Sequence, residues 1–275
     1  MAYQKVVLVT GGNRGIGLAI VRALCKEFDG DVYLTARDKG KGLEAIKMLE
    51  KEGRKAHFYL LDVENKESIL SLRETLVEKH GGVDVLINNA GILFKSDSPL
   101  PFAEKAKKTI NTNFYGTLNT LKVMLPCIKN NGRIVNMTSM LCLPALKKCS
   151  KELQQEFRSD NISEEKLCEL LDQFVAYAQN DNHEQHGFPT DAYGVSKLGV
   201  TVLTKIYGRK VLHQGRNDVL INTCCPGWVR TEMGGPNATR SPEEGAVTPV
   251  YLALLAPGLI DPQGQLIYDK KIRHW

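Results

Sequence analysis

The stretch Thr10-Gly11-Gly12-Asn13-Arg14-Gly15-Ile16-Gly17 restricts the fold more than any other part of the chain. It follows a short apolar run, Val6-Val7-Leu8-Val9, and precedes a stripe at helical spacing: Leu18, Val21, Leu24, Cys25 and Phe28. An apolar run without polar alternation marks a strand covered on both faces, and such a stripe marks a helix with one buried side. A glycine turn between them lets the backbone reverse tightly and approach an anion. At the helix start, free N–H groups and the helix dipole favour negative charge. This order predicts a nucleotide-binding unit with Gly11, Asn13, Arg14, Gly15, Ile16 and Gly17 around a pyrophosphate. The spacing is G-x-x-x-G-x-G rather than G-x-G-x-x-G.

The strand–helix rhythm continues along the chain. Apolar runs predict strands at Lys5–Thr10, Asp31–Thr35, Lys55–Leu61, Val83–Ile87, Arg133–Thr138, Val219–Cys224 and Gln265–Tyr268. Helical stripes lie between them, for example Leu43, Ile46, Leu49 and Ile69, Leu72, Leu76. Ser241-Pro242-Glu243-Glu244 reads as a helix start, with serine capping, proline first and glutamate third. The alternation predicts one α/β domain over 1–275, a doubly wound, Rossmann-type sheet of seven parallel strands. The rhythm breaks once, at about 146–187. These residues have helical patterning (Leu167, Leu170, Leu171, Phe174) and no strand, so a helical insertion is expected there.

Charge separates the insertion from the body. The whole chain of 275 residues carries +5, but 146–187 holds five Lys/Arg against nine Asp/Glu, or −4, which leaves +9 elsewhere. The basic residues are scattered, with no aromatic-interleaved patch, so no nucleic-acid partner is expected. No run of about 18 apolar residues exists, so no membrane span is expected. Met1-Ala2-Tyr3-Gln4-Lys5 leads straight into the first apolar run without the core of a signal peptide. Arg273-His274-Trp275 matches no retention or peroxisomal address. Seven cysteines without a C-x-x-C pair fit a reducing, cytoplasmic setting. Six histidines without H-E-x-x-H give no expectation of a metal.

The end of the second strand selects the cofactor. An acid there bonds the ribose 2′-hydroxyl of NAD. Here the chain reads Leu34-Thr35-Ala36-Arg37. Arg37 and Arg14 would offer two cations to a 2′-phosphate, which predicts NADPH. Asp38 takes the acid's part instead if the strand ends one residue later, and two solvated arginines are the plain alternative. Asp62 and Val63, ending the third strand, would hold the adenine. Asn88-Asn89-Ala90-Gly91 follows the fourth strand, where small residues let the backbone pass close to a cofactor.

Tyr193 and Lys197 stand four apart, on one face of a helix. With nine tyrosines and 24 lysines, about one such pair is expected by chance, so the spacing needs partners. Ser139 ends the fifth strand, at the edge where such sheets bind ligands. Asn113 sits in the helical segment after the fourth. These groups suit carbonyl reduction. Hydride arriving at a carbonyl carbon leaves charge on oxygen, and a phenol, with a pKa of about 10, is protonated and can donate. A nearby lysine ammonium stabilises the phenolate left behind. Ser139 can hydrogen-bond the carbonyl oxygen.

The glycine turn, Asn88–Gly91, Asn113, Ser139, Tyr193-x-x-x-Lys197 and Pro226-Gly227 together resemble the short-chain dehydrogenase/reductase family, over essentially the whole chain. The insertion, Ser150–Glu156, Cys224–Thr231 and Ser241–Ala246 more narrowly resemble its monomeric, cytosolic, NADPH-dependent carbonyl reductases. The resemblance implies that Tyr193 is the proton donor and Ser139 orients the carbonyl. Lys197 is the donor's electrostatic partner and anchors the nicotinamide ribose. Asn113 would hold a water that links Lys197 to solvent. Asn89, Ala90, Gly91, Pro226, Gly227, Val229 and Thr231 would line the nicotinamide half. Phe94, Met140, Leu141, Trp228 and Met233 would wall an apolar pocket for quinones and aromatic or aliphatic carbonyls. A core aromatic is the alternative for Trp228. Cys225 adjoins the site, as a redox-sensitive thiol or a buried structural cysteine. In shorter relatives the Tyr–Lys helix forms the main oligomer interface; the insertion would cover that face and leave a monomer.

Three other functions compete. An NADPH-binding sensor or scaffold would not need a proton donor. An alcohol dehydrogenase for prostaglandins or steroids would run the same chemistry backward. A nucleic-acid role rests on basicity alone.

Overall fold

The computed structural model describes residues 3–95 and 97–275; Met1 and Ala2, part of the stretch read for a leader, lie outside it, as does Ser96. Val6–Val9 (β1) is wholly buried and leads into the helix Gly15–Glu27 (α1). Asp31–Ala36 (β2), Lys39–Lys51 (α2), His57–Leu60 (β3), Lys66–His80 (α3) and Val83–Asn88 (β4) repeat the unit. Phe102–Thr109 (α4) continues through a π-helical stretch, Ile110–Tyr115, into Gly116–Met124 (α5). After Ile128–Met137 (β5) come Cys142–Lys148 (α6), Lys151–Arg158 (α7) and Glu164–Gln179 (α8). Ala192–His213 (α9), Leu220–Cys225 (β6), Pro242–Ala253 (α10) and Leu266–Tyr268 (β7) complete the rhythm.

The sheet order is β3-β2-β1-β4-β5-β6-β7, all parallel, so the winding reverses between β1 and β4. Ligands bind outside the carboxyl ends of strands at such a reversal. An eighth strand, Lys271–Ile272 (β8), pairs antiparallel with β7, and the sequence reading of seven strands lacks it. Asp269 and Lys270, with φ of 51° and 59°, form a two-residue turn of the type that closes hairpins. Such turns usually announce themselves by Asn-Gly or Asp-Gly, and Asp-Lys does not.

Alternate residues of β1 feed two cores. Val6 and Leu8 join α3, α5, α9 and the insertion, while Val7 and Val9 join α1, α2 and α10. Each such fully buried side chain contributes about 1.5–3 kcal/mol. Ser241 caps α10 with the expected reciprocal box, its hydroxyl accepting from Glu244 N–H and Glu244 accepting from Ser241 N–H.

The helices of the insertion begin at Cys142, four residues before the expected boundary, because Cys142 N–H bonds the Ser139 carbonyl and the chain coils directly after β5. Leu167, Leu170, Leu171 and Phe174 of α8 are buried against the body. Acids of the insertion meet partners from α5, α9 and the π stretch. Asp160 pairs with Lys205 at 2.6 Å, and Glu164 pairs with Lys122 and accepts from Tyr207 Oη at 2.8 Å. Asp172 accepts from Tyr115 Oη at 2.6 Å. The negative insertion is thus seated on cations and hydroxyls of the positive body, and α9 is buried over most of its length.

Candidate active site

The glycine turn is held by the end of β4. Asn89 Nδ2 donates to the carbonyls of Thr10 (2.9 Å) and Gly11 (3.0 Å). The Thr10 hydroxyl accepts from Asn89 N–H (2.9 Å) and Ala90 N–H (3.0 Å). Gly11 and Gly15 have φ of 63° and 54°, which L side chains rarely adopt. A Cβ on Gly17 would collide with the Gly11 carbonyl and Asn89 Nδ2. No side chain caps α1 and no acid lies in its first turn, so its N–H groups face outward unneutralised. The cradle suits a pyrophosphate on all three counts. The Asn89 Nδ2 group is spent on the turn and its backbone N–H on Thr10, which leaves its Oδ1 and backbone carbonyl to face a nicotinamide. Thr10 is a position that motif reading passes over, since only the fold reveals a buried hydroxyl accepting twice.

Beyond β2 the two charged candidates stand in different settings. The strand ends at Ala36, Arg37 follows exposed, and Asp38 caps α2 by accepting from Lys41 N–H at 2.9 Å. An acid engaged as a cap is poorly placed to read a ribose hydroxyl, whereas Arg37 is free to meet a phosphate. Arg14, the residue before α1, pairs instead with Glu232 from the loop after β6. Asp62, exposed after β3, spends one oxygen on Glu64 N–H at 3.0 Å, and Val63 is buried against Gly116.

Asn113 lies within the π-helical stretch and is fully buried. One extra residue per turn frees backbone groups, and such bulges recur at functional sites. Asn113 Oδ1 accepts from Ile92 N–H at 2.7 Å, and its amide donates to the Ile92 carbonyl and Ser196 Oγ, both at 3.0 Å. Ser196 Oγ in turn donates to the Tyr193 carbonyl at 2.7 Å. The side chain of Asn113 therefore ties the post-β4 loop to the first turn of α9. Both of its N–H donors are used, so a water would have to rest on another group of the residue. Ser196 escaped the sequence reading; its place between Tyr193 and Lys197 was the available signal.

Tyr193 and Lys197 stand in the first turns of α9, which is capped by Asp191 accepting from Gly194 N–H at 2.8 Å. Lys197 Nζ lies 5.7 Å from the centre of the Tyr193 ring and donates to the Met137 carbonyl at 2.9 Å. Two N–H donors of the ammonium remain. Burial lowers its pKa to about 8, while the Cys225, Cys224 and Cys142 thiols act in the opposite sense. The Tyr193 phenol is pushed up, first by burial and then by Cys225, and the Ser139 hydroxyl beside it acts the other way. Both catalytic candidates are thus held in their protonated forms near pH 7, lysine as a cation and tyrosine as a neutral acid. Cys225 is 3% exposed and burial raises its thiol pKa, as for a structural cysteine.

The apolar candidates stand on three neighbouring loops: Phe94 after β4, Met140 and Leu141 after β5, Trp228 and Met233 after β6. Trp228 is 55% exposed, Leu141 49% and Met233 38%, so Trp228 is not a core aromatic. The Trp228 indole N–H bonds the Gly234 carbonyl at 2.9 Å and leaves its ring presented at the surface. Pro226 and Gly227 open this loop, and Val229 is buried beside Gly245, while Thr231 packs on Gly15.

Known proteins resemble this chain in sequence and in fold. The family described as short chain dehydrogenase matches residues 5–151. Rat (Rattus norvegicus) carbonyl reductase [NADPH] 1 is 55% identical over 273 residues, 99% of each chain. The human (Homo sapiens) protein of the same name is 52% identical over 271 residues, 98% of each. Among solved structures, salutaridine reductase from Papaver somniferum superposes with a TM-score of 0.85 at 26% identity, covering 97% of this chain and all of that one. Menthone neomenthol reductase from Mentha piperita gives 0.81 at 27% identity, covering 98% and 100%.

Proposed function

The chain belongs to the short chain dehydrogenase family, and from that premise we propose that it is an NADPH-dependent carbonyl reductase acting on quinones, aldehydes and ketones. The observation that carries the proposal is the buried Lys197 ammonium beneath the Tyr193 phenol, with the Ser139 hydroxyl beside it at the carboxyl end of β5. Bound NADPH supplies the hydride. Ser139 Oγ orients the carbonyl oxygen, and Tyr193 Oη gives it a proton as negative charge develops. Lys197 stabilises the phenolate that remains and offers its two free N–H groups to the ribose. Gly11, Asn13, Gly15, Ile16 and Gly17 seat the pyrophosphate, Arg37 and Arg14 the 2′-phosphate, and Asp62 and Val63 the adenine. Asn89, Ala90, Gly91, Pro226, Gly227, Val229 and Thr231 border the nicotinamide. Phe94, Met140, Leu141, Trp228 and Met233 form the apolar wall for the substrate, a class that takes in prostaglandins and steroids.

The raised pKa of Tyr193 favours reduction over alcohol oxidation. Oxidation needs a phenolate to accept a proton, and burial opposes that form. Reduction needs a loaded donor, and an alkoxide is basic enough to take the proton from it. A scaffold would gain nothing from a lysine whose charge burial opposes. The test is consumption of NADPH and NADH with a panel of quinones, aldehydes, ketosteroids and prostaglandins. Turnover with several carbonyls and a preference for NADPH is expected; no turnover with any of them would overturn the reading.

The same reading makes the protein a monomer, because α6 and α8 pack on α9 and acids of the insertion pair with Lys122 of α5 and Lys205 of α9. Light scattering at micromolar concentration should give one chain mass, 30.6 kDa, and a stable tetramer would contradict it. No described helix is long and apolar enough to cross a membrane. The free cysteines, four of them buried, support a cytoplasmic setting.

A further inference from the structure

The loop after β6 folds into a lobe that holds its own shape. Arg240 N–H donates to the Trp228 carbonyl at 3.0 Å, Arg230 N–H to the Arg240 carbonyl and Gly235 N–H to the Thr231 carbonyl, both at 2.8 Å. The Arg230 guanidinium adds a bond to the Ala238 carbonyl at 3.0 Å. None of these bonds uses the Glu232 side chain. The lobe meets the glycine turn at two points. The Thr231 methyl lies 3.1 Å from where a Cβ on Gly15 would stand, and the Glu232 carboxylate pairs with the Arg14 guanidinium. The two charged side chains are 78% and 60% exposed, so water and ions reach them freely.

We propose that Glu232 is a selectivity-determining residue: its carboxylate competes inside the protein for the Arg14 cation that receives the cofactor's 2′-phosphate. The inference rests on the NADPH reading above. An exposed carboxylate–guanidinium pair is held weakly, whereas a phosphate offers more charge and more acceptor oxygens to the same planar fork. A 2′-phosphate therefore displaces Glu232, but it must do so against the pair and against the carboxylate's remaining repulsion. A nucleotide without that phosphate leaves the pair intact and is indifferent to it. Glu232 thus holds affinity for 2′-phosphorylated nucleotides below what Arg14 and Arg37 would give alone. Both oxidation states of the cofactor carry the phosphate, so product release gains as much as binding loses.

Calorimetric titration of the intact protein with 2′,5′-ADP and 5′-AMP tests this without turnover. Glu232→Gln is expected to lower the Kd for 2′,5′-ADP by about 3–10-fold and to leave that for 5′-AMP within about twofold, with the gain shrinking as salt rises. In an Arg14→Gln background, Glu232→Gln should change neither. An equal gain for both nucleotides, no gain, a loss, or a gain that survives Arg14→Gln overturns the proposal. A wild-type protein that fails to prefer 2′,5′-ADP overturns the NADPH reading and this inference with it. A wild-type preference that Glu232→Gln leaves unchanged overturns this inference alone.

Discussion

Replacing Tyr193 by phenylalanine is expected to lower kcat for carbonyl reduction by about 10²–10⁴-fold while leaving the Kd for NADPH within about twofold. The substitution removes one oxygen. The ring keeps its place over Lys197, and the Ser196 hydroxyl still bonds the backbone carbonyl of residue 193, so the first turn of α9 is unchanged. What is lost is the proton. Ser139, the neighbouring hydroxyl, accepts from Leu141 N–H at 3.2 Å, and an aliphatic alcohol gives up its proton far less readily than a phenol. Single-turnover rates with one quinone and one aldehyde, read with NADPH binding by fluorescence, separate the two effects. A variant that keeps more than about a tenth of wild-type turnover would remove Tyr193 from the mechanism.

Much of this molecule is written locally. The seven parallel strands are short apolar runs, and the cap of α10 is spelled out as Ser-Pro-Glu-Glu. The glycine turn is legible because glycines 11, 15 and 17 answer to local demands of backbone angle and close approach. What the sequence hides is set by contacts across the sheet. Asn89 carries its motif openly, yet nothing local says that its amide closes on the carbonyls of Thr10 and Gly11, 79 and 78 positions away. The Arg14–Glu232 pair spans 218 positions. Whether Asp38 reads a ribose or caps a helix depends on where β2 stops, and a shift of one residue reverses the answer. The π stretch around Asn113 has no compositional signature either, since Ile-Asn-Thr-Asn-Phe-Tyr would serve equally in an α-helix. Candidate site residues are thus picked out by type and order, while their partners appear only when β1, β4, β5 and β6 are brought side by side.

Lys197→Met should separate stability from activity. Methionine matches the length of the lysine stem but carries no charge. A folded-state pKa of about 8 against 10.5 means that keeping Lys197 protonated at pH 7 costs the folded protein about 3 kcal/mol. Removing the charge recovers that cost and forfeits the charged-donor bond to the Met137 carbonyl, worth about 1.5–3 kcal/mol. The variant should therefore melt at or above the wild-type temperature at pH 7. Its kcat/KM should nevertheless fall by about 10²–10⁴-fold, because the phenolate at Tyr193 loses its cation and the ribose loses its donors. The pH dependence follows from the same shift. Below pH 8 the lysine is charged in folded and unfolded chains alike, and the cost is present in full. As pH rises from about 8 toward 10.5 the folded protein sheds that proton first, so wild-type stability gains relative to Lys197→Met across that window. Activity moves the other way. Wild-type reduction should decline through a single ionisation near pH 8, with Tyr193 still protonated because burial holds its pKa up. A wild-type rate that stays flat from about pH 7 to 9.5 would show that the Lys197 charge takes no part in the step. A Lys197→Met protein that melts more than about 5 °C below wild type would make the residue a structural one.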